Sequence, residues 1–250
     1  MNTATATCPQ PAPTLSELWN DFRIRWRFKF VLPRVKRTTL EGVELDISTL
    51  SSVLKNRLLD GRYEAPERRI AAKHLSPDDR VLELGGAIGF IGLYCQRNLG
   101  IRSYTTVEAN PATVELLKKN YTLNGCTPNV IHAAATGEDG ELELHVGAEF
   151  WCDSIIPGEE RGRKVTVPAL SLGTLFQRLD YEATTLICDI EGAEQHLDFS
   201  AVPASVKKIL IELHPWIIGC PATYQIVANL VQAGFRVQEM EEQTYLFLRD

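Results

Sequence analysis

The sequence predicts an α/β fold built on a mostly parallel, doubly wound sheet, and three observations predict it. Short apolar runs alternate along the chain with helix-length stretches, which is the pattern of βαβ units. One run, Val81-Leu-Glu-Leu84, leads straight into Gly85, Gly86 and Gly89, a turn with little side-chain bulk. A second run, Thr105-Thr-Val-Glu108, ends in an acid just ahead of Asn110-Pro111, which opens a helix. At 250 residues the chain has room for one such domain with a substantial core and a terminal extension.

Residues 1–14, rich in Thr, Ala and Pro, are expected to be a disordered lead. Residues 15–60 are expected to form a helical and hairpin extension, and 61–250 the main domain. Trp19, Phe22 and Trp26, at spacings of three and four, predict a helix from Ser16. The stretch from Leu15 to Arg37 is basic, with aromatics interleaved. Its simplest reading is a docking helix whose aromatics cover the main domain and whose arginines are solvated. A contact with an anionic substrate or a membrane surface is the sharper alternative. Thr39–Ile47 alternates around Gly42 and predicts a small hairpin, and Pro66 sits in the first turn of a helix running toward Lys73. Further on, the pattern predicts a helix over 112–120, a strand over 129–134, extra strands over 141–146 and 163–167 joined by a loop around 151–162, and a helix over 171–179. Strands over 184–190 and 207–213, a helix over 222–233 and a closing pair over 235–240 and 244–248 complete the sheet.

Composition narrows the partners. A net charge of −6 argues against nucleic acid as a general partner. No apolar run is long enough for stable membrane insertion, and the lead lacks the apolar core of a signal peptide. The six cysteines are scattered, with no zinc-like spacing, and read as reduced thiols of a cytoplasmic protein.

The chemistry-bearing residues follow the apolar runs, where ligands of doubly wound sheets bind. Glu83-x-Gly85-x-x-x-Gly89 departs from the dinucleotide fingerprint, with Phe90 in the place of its last glycine. That spacing favours S-adenosylmethionine, which has no pyrophosphate to cradle, over a nicotinamide dinucleotide. Glu108 ends its strand where a carboxylate can accept both hydroxyls of a ribose; capping the next helix is its other reading. Asp189, Glu191 and Glu194 crowd three acids into six residues. Crowding of this kind poises a general base or calls for a divalent cation such as Mg²⁺, with Asp189 and Glu191 the candidate ligands. Glu194 alone would also suit the start of a helix. His214, ahead of Pro215, is a candidate proton acceptor, or else a structural histidine bonded to Glu212. His132, at the end of its strand, is a weaker candidate for a contact with adenine.

With these residues assembled, the chain resembles the FkbM family of S-adenosylmethionine-dependent methyltransferases from about Leu40 to Phe235. The resemblance rests on Gly61-Arg-Tyr63-Glu64 with Glu67, the glycine turn 85–89 and Val107-Glu-Ala109-Asn110-Pro111. It rests further on Asn120 with Leu123-Asn124, on Asp189-Ile-Glu-Gly-Ala-Glu194, and on Ile211-Glu-Leu-His-Pro215. One departure is Gly85-Gly86 where the family more often shows Gly-Ala, with Glu83 in the place of a preceding Asp. The resemblance implies a class I methyltransferase (Rossmann-like) fold of seven strands with the last antiparallel. It also implies methyl transfer, usually to oxygen on sugars, polyketides or other small natural-product and glycan acceptors. The cofactor-binding set it suggests is Tyr63, Glu67, Glu83, Gly85, Gly86, Gly89, Glu108, Ala109, Asn110, Ala134 and Asp189; the catalytic set is Asp189, Glu191 and His214. The expected partner is a small-molecule or glycan acceptor, with a homodimer left open. The rival readings are an N-methyltransferase on the same scaffold, a nicotinamide-dependent dehydrogenase, and a non-catalytic module that uses the basic N-terminal segment.

Overall fold

The computed structural model describes residues 23–146 and 163–250. The expected lead over 1–14, the start of the predicted helix from Ser16 and the loop around 151–162 lie outside the described residues. The central sheet starts in its own middle. Strand β3 (Arg80–Leu84) pairs in parallel with β4 (Ser103–Glu108), and β4 with β5 (Asn129–His132). The chain then returns to the other side of β3 with β9 (Thr185–Cys188) and β10 (Lys208–Glu212). The closing pair, β11 (Arg236–Glu241) and β12 (Thr244–Leu248), sits at the far edge, β12 slotting antiparallel between β10 and β11. The order β5-β4-β3-β9-β10-β12-β11 is the class I methyltransferase sheet. Its direction of winding reverses between β3 and β9, so the crevice for a ligand opens there.

Side-chain alternation divides the core in two. Val81, Ile187, Leu210 and Leu246 face one layer, with α2 (Ala65–His74) and α3 (Phe90–Asn98). Leu82, Leu84, Leu186, Cys188, Ile209 and Ile211 face the other, with α5 (Leu172–Gln177) and α6 (Pro215–Gln232). The predicted strand over 129–134 divides into two. After β5, Ala133 bonds the carbonyl of Glu108, and β6 (Ala134–Thr136) leaves to pair with β8 (Arg163–Ser171). With β7 (Gly140–Val146), β8 and β6 form a separate three-stranded sheet. Helix α6 begins seven residues before its predicted start at Ala222, because Pro215 fits a first turn and a break at Gly219 (φ +80°) lets two helical pieces join ahead of Pro221.

The hairpin forms as predicted, from β1 (Arg37–Leu40) and β2 (Val43–Asp46), with Glu41 and Gly42 both at positive φ in the turn. Helix α4 (Pro111–Leu123) holds it: Asp46 N–H donates to Asn120 Oδ1 at 2.7 Å, and Glu44 N–H to Asn124 Oδ1 at 3.0 Å. Asn120 also donates to the carbonyl of Ile88, so the hairpin, α4 and the glycine turn form one bonded unit. Ahead of the hairpin, a helical stretch widens into a π turn over Arg27–Val31 and tightens to 3₁₀ over Leu32–Arg34. Trp19 and Phe22 lie outside the described residues, and the other three N-terminal aromatics cover the domain only in part. Phe28 turns inward, whereas Trp26 is 52% and Phe30 43% exposed. The segment is fastened by Leu32, fully buried, and by Lys55 of α1 (Ser52–Leu59). The buried ammonium of Lys55 donates to the carbonyls of Pro33 and Ser48 at 3.5 and 3.4 Å. Among the described residues Cys95, Cys126, Cys188 and Cys220 are free thiols, and no helix is long and apolar enough to cross a membrane.

Candidate active site

A cavity of about 1070 Å³ opens at the carboxyl ends of β3, β4, β9 and β10. The glycine turn forms its floor. Gly85 N–H bonds the carbonyl of Val107 at 2.9 Å, and Gly85 lies so close to β9 that a Cβ there would meet the Asp189 carbonyl oxygen at 1.7 Å. Its φ of +86° is a second reason for glycine. Gly86 and Gly89 serve packing instead of the cavity: added Cβ atoms would strike Thr106 and Leu117, or Leu117 and Tyr121. They let α3 and α4 close onto the sheet, the third role assigned to glycines of such turns.

Glu108 lines the cavity from the end of β4. Its two carboxylate oxygens accept from Ala87 N–H at 3.0 Å and Asn110 N–H at 2.8 Å, which fixes the side chain against the glycine turn. Asn110, with its Oδ1 accepting from Ala112, caps α4, so the capping role considered for Glu108 belongs to Asn110. Ala109, Ala134 and Tyr63 complete this half of the wall.

The opposite half is acidic. Asp189, Glu191 and Glu212 line it with Glu64 and Glu67 from the start of α2. Burial pushes the Asp189 carboxyl well above the usual range, and the charges of Glu212, Glu191, Glu67 and Glu64 add to that. Burial, with Glu67 nearby, pushes Glu212 up to about 8. Glu191, at φ +49°, is raised by burial too, with His214 partly offsetting. Glu67 is tied down by the Thr244 hydroxyl. Asp189 Oδ1 is buried without a hydrogen-bond partner among the described residues.

His214 sits at the centre, 1% exposed. Its Nδ1 meets Glu194 Oε1 at 2.9 Å, and its Nε2 lies 3.4 Å from both Asp189 Oδ1 and Glu191 Oε2. The expected structural partner was Glu212; the actual one is Glu194, because a 3₁₀ turn over Ala193–His196 folds that carboxylate back under the imidazole. Glu194 is fully buried and also accepts from Ile190 N–H. Burial alone would lower the pKa of His214, but the bond to Glu194 and the charges of Glu194, Glu191 and Glu212 outweigh it and raise it. One ligand atom each from Asp189, Glu212 and His214 falls within 4.8 Å of the others, a spacing that can hold a metal ion; Glu191 is outside that set. Among the residues to which the sequence reading gave no site role are Glu64, Glu212, Trp216, edge-on to His214 at 5.2 Å, and Phe28 from the N-terminal segment.

Glu83 does not reach the cavity. It lies on the Val81 face of β3, turned into the core, where the Thr106 hydroxyl donates to it at 2.6 Å; burial pushes it up to about 7. His132 is exposed, its Nε2 3.0 Å from the Ala109 carbonyl, and it does not line the cavity.

No family model matches the chain, and no curated protein matches it. Among solved structures it is similar to the methyltransferase FkbM from Methylobacillus flagellatus KT, at 15% identity and a TM-score of 0.48 over 79% of this chain and 53% of that one. This chain thus spans about half the length of that protein. It is also similar to M. jannaschii TYW2 in complex with AdoMet, at 15% identity and a TM-score of 0.45, covering 87% and 88% of the two chains. A third is precorrin-6y C5,15-methyltransferase from Geobacter metallireducens GS-15, at 12% identity and a TM-score of 0.43, covering 72% and 84%.

Proposed function

We propose that this chain is an S-adenosylmethionine-dependent methyltransferase acting on a hydroxyl of a small natural-product or glycan acceptor. The observation that carries this reading is the junction at which the sheet reverses. Gly85 is pressed against Asp189 there, with Glu108 and His214 lining the same cavity. The residues fit the cofactor. A carboxylate fixed like Glu108 suits a vicinal diol, and the Asp189 carboxylate, whose Oδ1 has no hydrogen bond and only the His214 imidazole at 3.4 Å, suits a cation. When bound, S-adenosylmethionine supplies an electrophilic methyl group on a sulfonium sulfur. Glu108 grips the ribose; Gly85, Ala109 and Ala134 give flat walls; Asp189 supplies negative potential. His214 Nε2 accepts the proton of the acceptor hydroxyl, and Glu194 holds the imidazole in register and stabilises its charged form. Much of the acceleration then comes from alignment, worth up to about 7–11 kcal/mol in favourable cases.

Isothermal titration with S-adenosylhomocysteine is the direct test. The wild-type chain should bind it, and Glu108→Ala should weaken binding at least roughly tenfold, the worth of one or two good hydrogen bonds. Stabilisation by NAD and none by S-adenosylhomocysteine would hand the site to a dehydrogenase. Two narrower alternatives each rest on one observation. The carboxylate-rich wall favours an amine acceptor, which analysis of the methylated product would reveal as N–CH₃ in place of O–CH₃. The Asp189–Glu212–His214 donors favour a divalent ion such as Mg²⁺ that orients the acceptor, and activity unchanged by exhaustive chelation would remove it.

A further inference from the structure

We propose that the segment Arg23–Arg37 is a docking surface for an anionic lipid bilayer. This goes beyond methyl transfer and does not depend on it. The segment has two faces. Its inner side is spent on the protein: Arg27 pairs with Asp60 at 2.9 Å, Phe28 lines the cavity, and Leu32 is fully buried. Its outer side presents Ile24, Trp26 and Phe30, 55%, 52% and 43% exposed. The Trp26 and Phe30 rings lie 6.3 Å apart, and the Lys29 ammonium stands 5.5 Å over the Phe30 ring.

Charge complementarity selects the partner. No acid occurs between Arg23 and Leu40, while Arg23, Lys29, Arg34, Lys36 and Arg37 are all exposed. The chain as a whole carries −6, so this positive face opposes the overall charge. Aromatic and aliphatic side chains flanked by cations suit the headgroup boundary, where the rings sink and the cations meet lipid phosphates. Trp26 and Phe30 could stack bases, but Ile24 beside them adds exposed aliphatic area that stacking does not use and a headgroup boundary does, so this surface favours lipid over nucleic acid. Since Phe28 belongs to the same turn, docking would bring the mouth of the cavity, with Val53 and Trp216 exposed at its rim, toward the bilayer.

Co-sedimentation of the full chain with phosphatidylcholine vesicles, with and without phosphatidylglycerol, tests the proposal. Binding is expected only with phosphatidylglycerol present. It should fade as salt rises from about 0.1 to 1 M and the screening length shrinks from about 10 to about 3 Å. The combined change Lys29→Glu, Arg34→Glu and Lys36→Glu should weaken it by roughly a hundredfold or more, at about fivefold for each cation removed. Trp26→Ala with Phe30→Ala should weaken it at unchanged melting temperature. If the charge-reversed chain melts early, the exposed Ile24→Asp carries the test in its place. Equal binding to both vesicle types, no binding at all, or variants that bind like the wild type would overturn the proposal. Displacement from the vesicles by a single-stranded RNA homopolymer would overturn it in favour of nucleic acid.

Discussion

Glu83 and Glu194 are both buried carboxylates, and their neighbours give them opposite uses. Glu83 has only hydroxyls for partners, and its carboxyl rises from 4.5 to about 7. The folded protein therefore keeps a proton that the unfolded chain has already released between those two values. Stability accordingly falls as pH rises from about 4.5 to 7 and levels off beyond, by on the order of 3 kcal/mol. Glu83→Gln should flatten that fall and leave the variant the more stable protein at pH 8, as read by urea unfolding across the range. Glu194 instead faces an imidazole. Glu194→Gln should lower the pKa of His214, moving the acid limb of the pH–rate profile downward, and should cut the plateau rate by roughly a hundredfold. An unmoved limb would make Glu194 merely structural. Sequence parity puts Glu83 on the same face of the strand as Val81, but with both faces buried it did not by itself separate a core position from the cofactor-binding role expected of it. The bond from Glu194 to His214 spans twenty residues of chain, and nothing local in the sequence announces it.

At the level of elements, the junction of β3 with β9 is the least forgiving. Gly85→Ala must displace the Asp189 carbonyl and also adopt a left-handed backbone, so a loss above about 4 kcal/mol, or failure to fold, is expected. Gly42→Ala has the same backbone problem, at φ +78°, but open space around it, and should cost only about 1 kcal/mol in the same denaturation experiment. The strands of the main sheet were legible because a strand buried on both faces is a bare apolar run between turn signals. Residues 129–134 were not separable into two strands, because nothing in Ile131-His-Ala-Ala-Ala135 says that the chain changes sheets there. The early start of α6 was hidden by Gly219 and Pro221, which ordinarily close a helix.

Across the described residues, acids gather in the cavity, where Arg57, Arg62 and Arg69 also line the wall, while the N-terminal edge from Arg23 to Leu40 carries cations and no acid. Below about pH 8 the cavity holds protons on Glu212 and its neighbours that a bound cation would drive off. Affinity for S-adenosylmethionine should therefore climb with pH by up to about tenfold per unit for each proton released, while that for uncharged-sulfur S-adenosylhomocysteine changes less. Titration calorimetry in buffers of different ionisation heat would count those protons, and equal pH dependence for the two ligands would contradict the picture. Asp189 and Glu191 could be foreseen from the strand they follow; the mutual pKa shifts could not, because these arise only once the ends of β9 and β10 and the start of α2 share one space.

Lys55 has a practical bearing on any shortened form of this protein. Its ammonium is kept from water by two carbonyls, one of which, that of Pro33, belongs to the segment before the hairpin. Trimming the chain to residue 36 would leave that positive group half served inside an apolar layer, where it would have to shed its proton or open the packing of α1. The basic edge is thus stitched to the body from within, and it cannot be pared away as a dispensable tail.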